Sequence, residues 1–431
     1  MPACSAPQPP PGPAPEDLDL RQLLDRQGVV AHFQPLLSLR GQFLLGVEAL
    51  CRGVHPTSGQ LVPPQRLFAR AHSDGLLIDL DRLCRRQALT AFRELSRQHP
   101  GLVLNLNFEA ALLDQGVVGS GHLLGLVREL GLDPGRIVIE LVESRVADLK
   151  ALERFVETHK GHGFLLALDD VGTGHSNLER IAIIKPDVLK IDRGLISGLD
   201  RHYHKQEVTR ALLNLAGKIG ALVVAEGVER EEEALLALEM GVDVLQGYYL
   251  ARPGPGPEEI ALCQRRGREL AARFRQYTVE TIAAKKAQHQ YYQEVMAELV
   301  RRLRGLSWPQ VDQRLAGLVE MNPWLECLYV LDEEGQQLTR TACQAGRLSR
   351  QRGAIFWPAA QGSDQSLKNY FLLLKAGLER YVSEPYISRA SGNLCLTIST
   401  WFVGGGGQRL VLCADFAVQA PEENTQPGQD A

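Results

Sequence analysis

The chain has 431 residues, of which 45% are hydrophobic and 23% are charged, and its formal net charge is −4. This length and apolar content predict one large globular domain together with a smaller one. The slightly acidic balance gives no bulk attraction to a nucleic-acid polymer or an anionic membrane, so neither is expected as a partner.

The sequence predicts neither export nor a membrane anchor. No apolar run approaches the length of a membrane span, and the N-terminal residues lack the basic-then-apolar order of a signal peptide. The eight cysteines are dispersed without CxxC spacing, which is typical of reduced thiols. We therefore expect a cytoplasmic protein.

The first two segments differ sharply in composition. Residues 1–16 are rich in proline and alanine and nearly free of large apolar side chains, which predicts a disordered tail. Over residues 17–257, strand-like apolar runs alternate with helical patterns such as 123–130 and 208–219. This alternation predicts an α/β domain with a mainly parallel sheet. The alternating prolines and glycines of residues 252–257 end the pattern and predict a domain boundary.

The apolar runs of this domain end in polar side chains of a restricted kind. In chain order these residues are Glu48, Asn105, Glu140, Asp169 with Asp170, Lys190, Glu226 and Gln246. An apolar run, a polar residue, a turn and a helical pattern form the repeat expected of a barrel whose strands point their carboxyl ends at one site.

Oxygen donors dominate these strand ends, and no histidine or cysteine stands among them. Such a set suits Mg²⁺ or Mn²⁺ and disfavours zinc. Converging carboxylates would repel one another unless divalent cations neutralised them, and two ions fit better than one. The adjacent Asp169 and Asp170 are suited to bridging two ions about 4 Å apart, the arrangement that clamps an in-line phosphoryl displacement. The pattern predicts phosphodiester hydrolysis.

Two simpler interpretations remain open at this point. Acids that follow strands can cap the next helix, although glutamate is a poor cap. Lys190 could be a solvated loop lysine. Alternatively, it points into the barrel mouth and orients or helps to deprotonate the attacking water.

The rest of the chain predicts a connector and a second domain. Residues 258–306 contain no proline and carry large side chains at helical spacing, which predicts one long helix or two joined end to end. This helix either packs on its own domain or connects the subunits of a dimer. Residues 307–418 predict an α+β module with an antiparallel sheet, including a helix near 367–381 and strands at 327–331, 394–402 and 409–416. Residues 419–431 predict a second disordered tail.

The chain resembles the EAL-domain phosphodiesterases of bacterial cyclic di-GMP signalling over about residues 20–253. Eight motifs occur in the order found in that family. They are Phe33-Gln34-Pro35, Glu48-Ala49-Leu50 with Arg52, Asn105, Glu140-Leu141-Val142-Glu143, Asp169-Asp170 with Gly172-Thr173-Gly174, Lys190-Ile191-Asp192, Ala225-Glu226-Gly227-Val228-Glu229 and Gln246-Gly247-Tyr248.

The resemblance implies a TIM-like (β/α)8 barrel with one antiparallel strand and two Mg²⁺ or Mn²⁺ ions. One ion would be held by Glu48, Asn105, Glu140 and Asp169, and the other by Asp169, Asp170 and Glu226. Lys190 would assist the water, and Glu143 would anchor the loop after Asp170. The residues implied to contact or frame the dinucleotide are Gln34, Leu50, Arg52, Asp192 and Gln246.

Three positions depart from the usual family pattern. Val142, Val171 and His175 stand where the family usually has threonine, phenylalanine and tyrosine. They lie in or beside the loop that couples dimerisation to metal binding in the family, so the departures bear on rate and regulation more than on activity.

The C-terminal module resembles the PAS- or Cache-like sensor domains found on some of these proteins. Tyr370-Phe371 and Ser383-Glu384-Pro385-Tyr386 carry this resemblance. Lys368 stands where such domains often place an arginine for a carboxylate ligand. A pocket and a half-buried tyrosine core are both compatible with this pattern.

The leading hypothesis is a homodimeric, metal-dependent phosphodiesterase that converts cyclic di-GMP to linear pGpG. An unknown small molecule or protein would act on the C-terminal domain and regulate it. The alternative is a catalytically weak cyclic di-GMP receptor that signals through protein contacts. The complete ligand set favours the enzyme.

Overall fold

The computed structural model describes residues 18–41, 43–109, 121–142, 148–172, 178–344, 357–388 and 391–418, with only the backbone at 142 and 178. The chain divides into two compact units between Thr278 and Val279. Among the described residues, no helix combines the length and the apolar character needed to cross a bilayer.

In the part of the chain that the structure describes, the N-terminal unit is built around nine strands. They are β1 Val29–Ser38, β2 Phe43–Val54, β3 Leu61–Val62, β4 Val103–Phe108, β5 Ile137–Val142, β6 Leu165–Val171, β7 Val188–Ile191, β8 Leu222–Ala225 and β9 Val244–Leu245. Eight of them close into a ring in the order β1-β9-β8-β7-β6-β5-β4-β2, and β2 pairs back to β1. The short β3 joins the outer side of β2.

Strand β1 runs against the rest of the barrel. It pairs antiparallel with β2, where Gln34 lies opposite Glu48, and antiparallel with β9, where Leu37 lies opposite Leu245. The other neighbouring strands of the ring pair in parallel, namely β2–β4, β4–β5, β5–β6, β6–β7, β7–β8 and β8–β9. The prediction of a TIM-like barrel with one antiparallel strand is confirmed.

Helices surround the ring. They are α1 Leu20–Asp25, α2 Pro64–Asp74, α3 Leu77–Gln98, α4 His122–Glu129, α5 Leu149–Gly161, α6 Leu178–Ile184, α7 Arg193–Ile196, α8 Tyr203–Ile219 and α9 Glu231–Met240. Local chemistry sets their ends. Asp148 accepts hydrogen bonds from the amides of Lys150 and Ala151 at the start of α5, and Gly220 ends α8 in the left-handed conformation.

The barrel interior is layered because side chains on one face of a strand recur at every second residue. A buried apolar layer consists of Leu36, Val138, Ala167, Val188, Val224 and Val244. On the same faces, two residues nearer the carboxyl ends of the parallel strands, stand Glu140, Asp169, Lys190, Glu226 and Gln246. On the reversed β1 the equivalent residue is Gln34. The apolar layer therefore forms the floor beneath a polar layer.

Glycine replaces the floor residue on β2. Gly46 lies two residues before Glu48, and a Cβ there would lie 2.1 Å from the carbonyl oxygen of Val103. Strands β2 and β4 approach too closely at this point for any side chain, so only glycine fits.

Helix α10, Pro257–Leu303, is continuous over 47 residues. Ile260, Cys263 and Leu270 are buried in the core of the N-terminal unit, so that unit extends past the Pro-Gly stretch that the sequence suggested as its end. Tyr292, Met296, Leu299 and Leu303 belong to the core of the C-terminal unit.

The described residues of the C-terminal unit form a six-stranded antiparallel sheet together with helices α11 Trp308–Glu320 and α12 Asn369–Lys375. Its strands are β10 Leu325–Leu331, β11 Ala342–Cys343, β12 Arg380–Val382, β13 Tyr386–Ile387, β14 Leu394–Val403 and β15 Arg409–Ala417. The helix predicted near 367–381 is too long. Gly377 has a φ of 111°, and Tyr381 pairs with Ser399 in the sheet.

Candidate active site

Polar side chains from all eight ring strands meet near the carboxyl ends of the parallel strands. Glu48, Asn105, Glu140, Asp169 and Lys190 lie within strands β2, β4, β5, β6 and β7, while Glu226 and Gln246 follow β8 and β9 directly. Gln34 comes from the reversed β1. The structure therefore brings together residues that lie far apart in the sequence, as the repeat predicts.

Lys190 occupies the centre of this polar layer and is buried. Its ammonium nitrogen lies 2.6 Å from Glu226 Oε1, 2.8 Å from Glu140 Oε1, 3.3 Å from Asp169 Oδ1 and 3.5 Å from Glu48 Oε2. Burial alone would lower the pKa of Lys190, but the four carboxylates outweigh it and raise that pKa well above its usual value. A solvated loop lysine is thereby excluded.

One ammonium group does not neutralise four carboxylates. Burial, together with the neighbouring Glu48, raises the pKa of Glu140 well above its ordinary value. Burial likewise raises the pKa of Glu226 to about 8. For Glu48, burial opposes ionisation, yet the Lys190 charge and the amide hydrogen bonds leave the pKa lowered. The cluster has a surplus of negative charge that added cations would relieve.

Amide side chains fix the orientation of two glutamates. Asn105 Nδ2 donates to Glu140 Oε1 at 2.6 Å, and Asn107 Nδ2 donates to Glu48 Oε1 at 2.9 Å. Gln246 Nε2 donates to Glu48 Oε2 at 2.6 Å and to Gln34 Oε1 at 3.1 Å. These bonds hold the carboxylates in place before any ligand arrives.

Sequence reasoning missed Asn107. The available signal was the two-residue period of a strand, which places Asn107 on the same face as Asn105. A polar residue at that position of β4 faces the site for the same geometric reason.

The donors fit hard divalent cations. Oxygen atoms of Asp169, Asp170 and Glu226 lie within 4.8 Å of one another. Glu140 Oε2 is buried and accepts no hydrogen bond from any described group, which leaves a carboxylate oxygen for a ligand. Asp170 has a φ of 57°, a left-handed conformation that aspartate tolerates, and its amide donates to Asp169 Oδ1 at 3.0 Å. This turn carries the adjacent carboxylates into the same cluster.

A cavity of about 590 Å³ opens beside the carboxylates, and Glu48, Leu50, Asp169 and Asp170 line it. Helices α2 and α3 supply a wall that the sequence did not predict, formed by Phe68, His72, Asp81 and Arg85. Asp81 and Arg85 form a buried ion pair, and burial raises the pKa of Asp81 to about 6. The Arg85 guanidinium lies 4.9 Å from the centre of the Phe108 ring.

The remaining predicted contact residues occupy different places. Gln34 and Gln246 are buried and bonded to each other, and Leu50 lies in the cavity wall. Arg52 donates to the carbonyl oxygen of Cys51 at 2.9 Å, and Asp192 caps α7 by accepting from the Gly194 amide at 2.7 Å. Neither Arg52 nor Asp192 is among the described residues that line the cavity. Glu143 and His175 lie outside the described residues.

The fold and the site together define a barrel with an acidic, metal-type centre at the carboxyl ends of its strands. Residues 17–253 match the family model of the EAL domain. The chain belongs to the EAL-domain family.

Two curated relatives illustrate the match. The signaling protein YkoW of Bacillus subtilis is 30% identical over 250 residues, which cover 57% of this chain and 30% of that protein. The bifunctional diguanylate cyclase/cyclic di-GMP phosphodiesterase MucR of Pseudomonas aeruginosa is 31% identical over 249 residues, which cover 56% of this chain and 36% of MucR. The chain therefore spans about a third of the length of these relatives.

A solved structure matches over more of the chain. It is the Bacillus subtilis YkuI protein, which has an EAL domain and was crystallised in complex with its substrate c-di-GMP and calcium. The match has a TM-score of 0.76 and 25% identity, and it covers 93% of this chain and 100% of YkuI. The similarity in fold therefore includes much of the C-terminal unit.

Proposed function

We propose that the barrel hydrolyses cyclic di-GMP to linear pGpG in a reaction that requires two Mg²⁺ or Mn²⁺ ions. The observation that carries the proposal is the full set of acidic ligands assembled around the buried Lys190 beside an open cavity. The names of MucR and YkuI support the substrate, since one is a cyclic di-GMP phosphodiesterase and the other holds c-di-GMP as its substrate.

Six residues would hold the two ions, with Asp169 shared between them. Glu48, Asn105, Glu140 and Asp169 would hold one ion, and Asp169, Asp170 and Glu226 would hold the other. Bound there, the ions would lower the pKa of a water molecule and stabilise charge on the phosphate. The calcium in the YkuI complex supports a divalent cation in this family.

The chain's own groups would keep the nucleophile and the substrate in line. Lys190 stays charged because carboxylates surround it, which favours its orienting a water molecule over acting as a base. Asn107 and Gln246 hold Glu48 in one orientation through both of its oxygens. Such pre-organisation reduces the cost of reaching the reactive geometry.

The cavity is suited to the nucleotide. Its volume of about 590 Å³ is typical of small-molecule sites, and Phe68, Leu77 and Phe108 provide apolar surface for a base. The contacts of Gln34, Leu50, Arg52, Asp192 and Gln246 with the dinucleotide, and the anchoring role of Glu143, remain predictions from the family resemblance.

The experiment is incubation of the purified chain with cyclic di-GMP and Mg²⁺ or Mn²⁺, followed by chromatography. We expect linear pGpG to accumulate, and Glu48→Gln protein serves as the inactive control. Binding of intact cyclic di-GMP without any product would instead identify the receptor alternative.

Regulation through the C-terminal unit, homodimerisation and a cytoplasmic location belong to the same proposal. Helix α10 contributes to the cores of both units, which supports it as the route of a signal. A chain that ends at Thr278 keeps the buried Ile260, Cys263 and Leu270 of the barrel unit, whereas one that ends at Pro257 loses them.

Sedimentation velocity and turnover of the chain that ends at Thr278, beside the full chain, test the regulatory part of the proposal. We expect a weaker dimer and an altered specific activity. Unchanged association and turnover would show that the C-terminal unit affects neither dimerisation nor activity. Fractionation of cells that express the full chain tests the location.

A further inference from the structure

Two cysteines of the C-terminal unit lie opposite each other on neighbouring strands. Cys327, on β10, pairs in register with Cys343, on the short edge strand β11. The amide of Gln344 donates to the carbonyl oxygen of Glu326 at 2.9 Å, so the next pair along the two strands is a non-hydrogen-bonded one. Side chains approach each other most closely at such pairs. The register therefore brings together two thiols that lie 16 positions apart in the sequence.

The two thiols are in contact, and both are free. Their sulfur atoms lie 2.8 Å apart, and neither cysteine belongs to a disulfide. A disulfide requires Cα atoms about 4.4–6.8 Å apart, and the separation of about 4.5 Å that is typical of a non-hydrogen-bonded pair falls in this range. The backbone arrangement of the two strands is therefore compatible with a bond between these side chains.

The two thiols differ in their access to solvent. Cys327 is buried, whereas Cys343 is half-buried. The hydrogen bond with Cys343 and burial raise the pKa of Cys327 well above its ordinary value, and the carboxylates of Asp415 and Glu326 act in the same direction. Cys327 is therefore a poor first nucleophile, because the thiolate is the reactive form of cysteine. A reagent from solution should react with Cys343 first.

The other described cysteines are arranged differently. Among the described residues, this is the one pair in which two cysteines face each other across paired strands. Cys51 and Cys84 are also neighbours, but they lie on a strand and a helix of the barrel, where Cys51 Sγ donates to the Cys84 carbonyl oxygen at 3.5 Å. In the same part of the chain, the group of three side chains with metal-site spacing lies in the barrel, which favours a redox role over a metal site.

We propose that Cys327 and Cys343 form a reversible disulfide by exchange with a low-molecular-weight disulfide. Cys343 loses its proton to solvent, and its thiolate attacks one sulfur of the reagent, which forms a mixed disulfide and releases one thiolate. The sulfur of Cys327 then attacks the sulfur of Cys343, and the proton of Cys327 passes to the second departing thiolate. Two protein thiols are oxidised while one external disulfide is reduced to two thiols. The proposal does not rest on the phosphodiesterase activity.

The test is disulfide mapping of the full, folded chain. The protein is reduced, freed of reductant and incubated with glutathione disulfide; the remaining thiols are blocked with iodoacetamide, and the peptides are analysed by mass spectrometry. We expect the bond between Cys327 and Cys343 to be about tenfold or more abundant than any other pairing, because the register gives this pair a high effective concentration. Dithiothreitol should restore both thiols. The same treatment in urea should scramble the pairing.

Matched variants separate the two steps. Cys327→Ala should leave glutathione attached to Cys343, because the second thiol is gone, while Cys343→Ala should prevent addition of glutathione to the buried Cys327. Cys413→Ala removes a buried thiol from the adjacent strand β15 and should leave the bond intact.

The mapping of the unmodified chain decides the proposal even if a variant fails to fold. The proposal is overturned if the folded chain forms no bond between Cys327 and Cys343 at any ratio of glutathione disulfide to glutathione. It is also overturned if glutathione remains on Cys343 in the unmodified chain, or if the pairing in the folded chain matches the pairing in urea.

Discussion

Lys190 Nζ lies 2.8 Å from Glu140 Oε1 inside the barrel, and neither side chain is more than 1% exposed. Asn105 donates to the same oxygen, which leaves Glu140 Oε2 without a hydrogen bond from the described groups. Glu140 therefore has one carboxylate oxygen, Oε1, that is already bonded to Lys190 and Asn105, and a second oxygen, Oε2, that is available to a ligand. This division is what a site requires if the protein holds one side of a carboxylate and a metal ion takes the other.

Replacing Lys190 with methionine should destabilise the metal-free protein by about 3–5 kcal/mol, because it leaves buried carboxylates without their cation. Adding Mg²⁺ or Mn²⁺ should restore part of this stability, while turnover falls far more than nucleotide affinity. Urea unfolding with and without metal, together with steady-state kinetics, measures these effects.

Lys160→Met is the matched control for this substitution. Lys160 pairs with Asp187 at 3.2 Å, but its side chain is 31% exposed. The change should cost no more than about 1 kcal/mol and should leave turnover unaltered. A Lys190→Met protein as stable as this control would show that the central ammonium is not needed to balance the carboxylates.

Exchanging Glu48 for glutamine should lower turnover at least about a hundredfold and weaken binding of the divalent cation, since one anionic donor is lost. The fold should persist because the substitution preserves size. Calorimetric titration with Mn²⁺ and product chromatography are the measurements. Glu129→Gln, at a side chain that is 60% exposed, provides the surface control. Normal Mn²⁺ affinity in Glu48→Gln would remove Glu48 from the ligand set.

Asn107 should act as a positioning residue through Glu48. Asn107→Leu removes the donor to Glu48 Oε1 and should weaken Mn²⁺ binding by about 10–100-fold. Asn107→Ser retains a hydroxyl donor and should recover part of the affinity. If both variants bind Mn²⁺ as the unmodified chain does, the hydrogen bond has no role in arranging the site.

Removal of divalent cations with a chelator should abolish hydrolysis, and Mg²⁺ or Mn²⁺ should restore it. Ca²⁺ should bind without supporting turnover, because it is larger and its coordination is looser. Activity assays after dialysis, with each ion in turn, provide the comparison. Full turnover with Ca²⁺, or turnover in the chelator, would contradict a mechanism that clamps the phosphate between two small ions.

The sequence located the site residues that strand geometry alone can place. Glu140, Asp169 and Lys190 each end an apolar run, and parallel strands bring such ends to one edge of a barrel. The hydrogen bond from Gln246 to Glu48 could not be predicted, because it depends on the reversed β1 lying between β2 and β9. In the structure Gln246 also supports Glu48, a role that its prediction as a substrate contact did not include.

Tertiary contacts explain the other omissions. Asp81 and Arg85 stand one helical turn apart on α3, a spacing that predicts a surface pair just as well. Only the packing of α3 against the barrel buries them beside the cavity. Similarly, Ile260, Cys263 and Leu270 follow a strong Pro-Gly stop, and nothing local in the sequence indicates that a helix beyond the stop returns to the core of the preceding domain.

The reversal of β1 decides at which face of the barrel the chain enters its first strand. Because β1 runs from the carboxyl ends of its neighbours toward their amino ends, its first residue, Val29, lies opposite Gly53 near the end of β2. After β9 the chain returns toward the same end, where Gly254 bonds to Phe33 through both backbone groups. The start of β1 and the segment that follows β9 thus both lie near the face that bears the carboxylates. A fluorescent reporter or affinity tag is better inserted at the opposite face, for example at the exposed turn of Gly220 before β8.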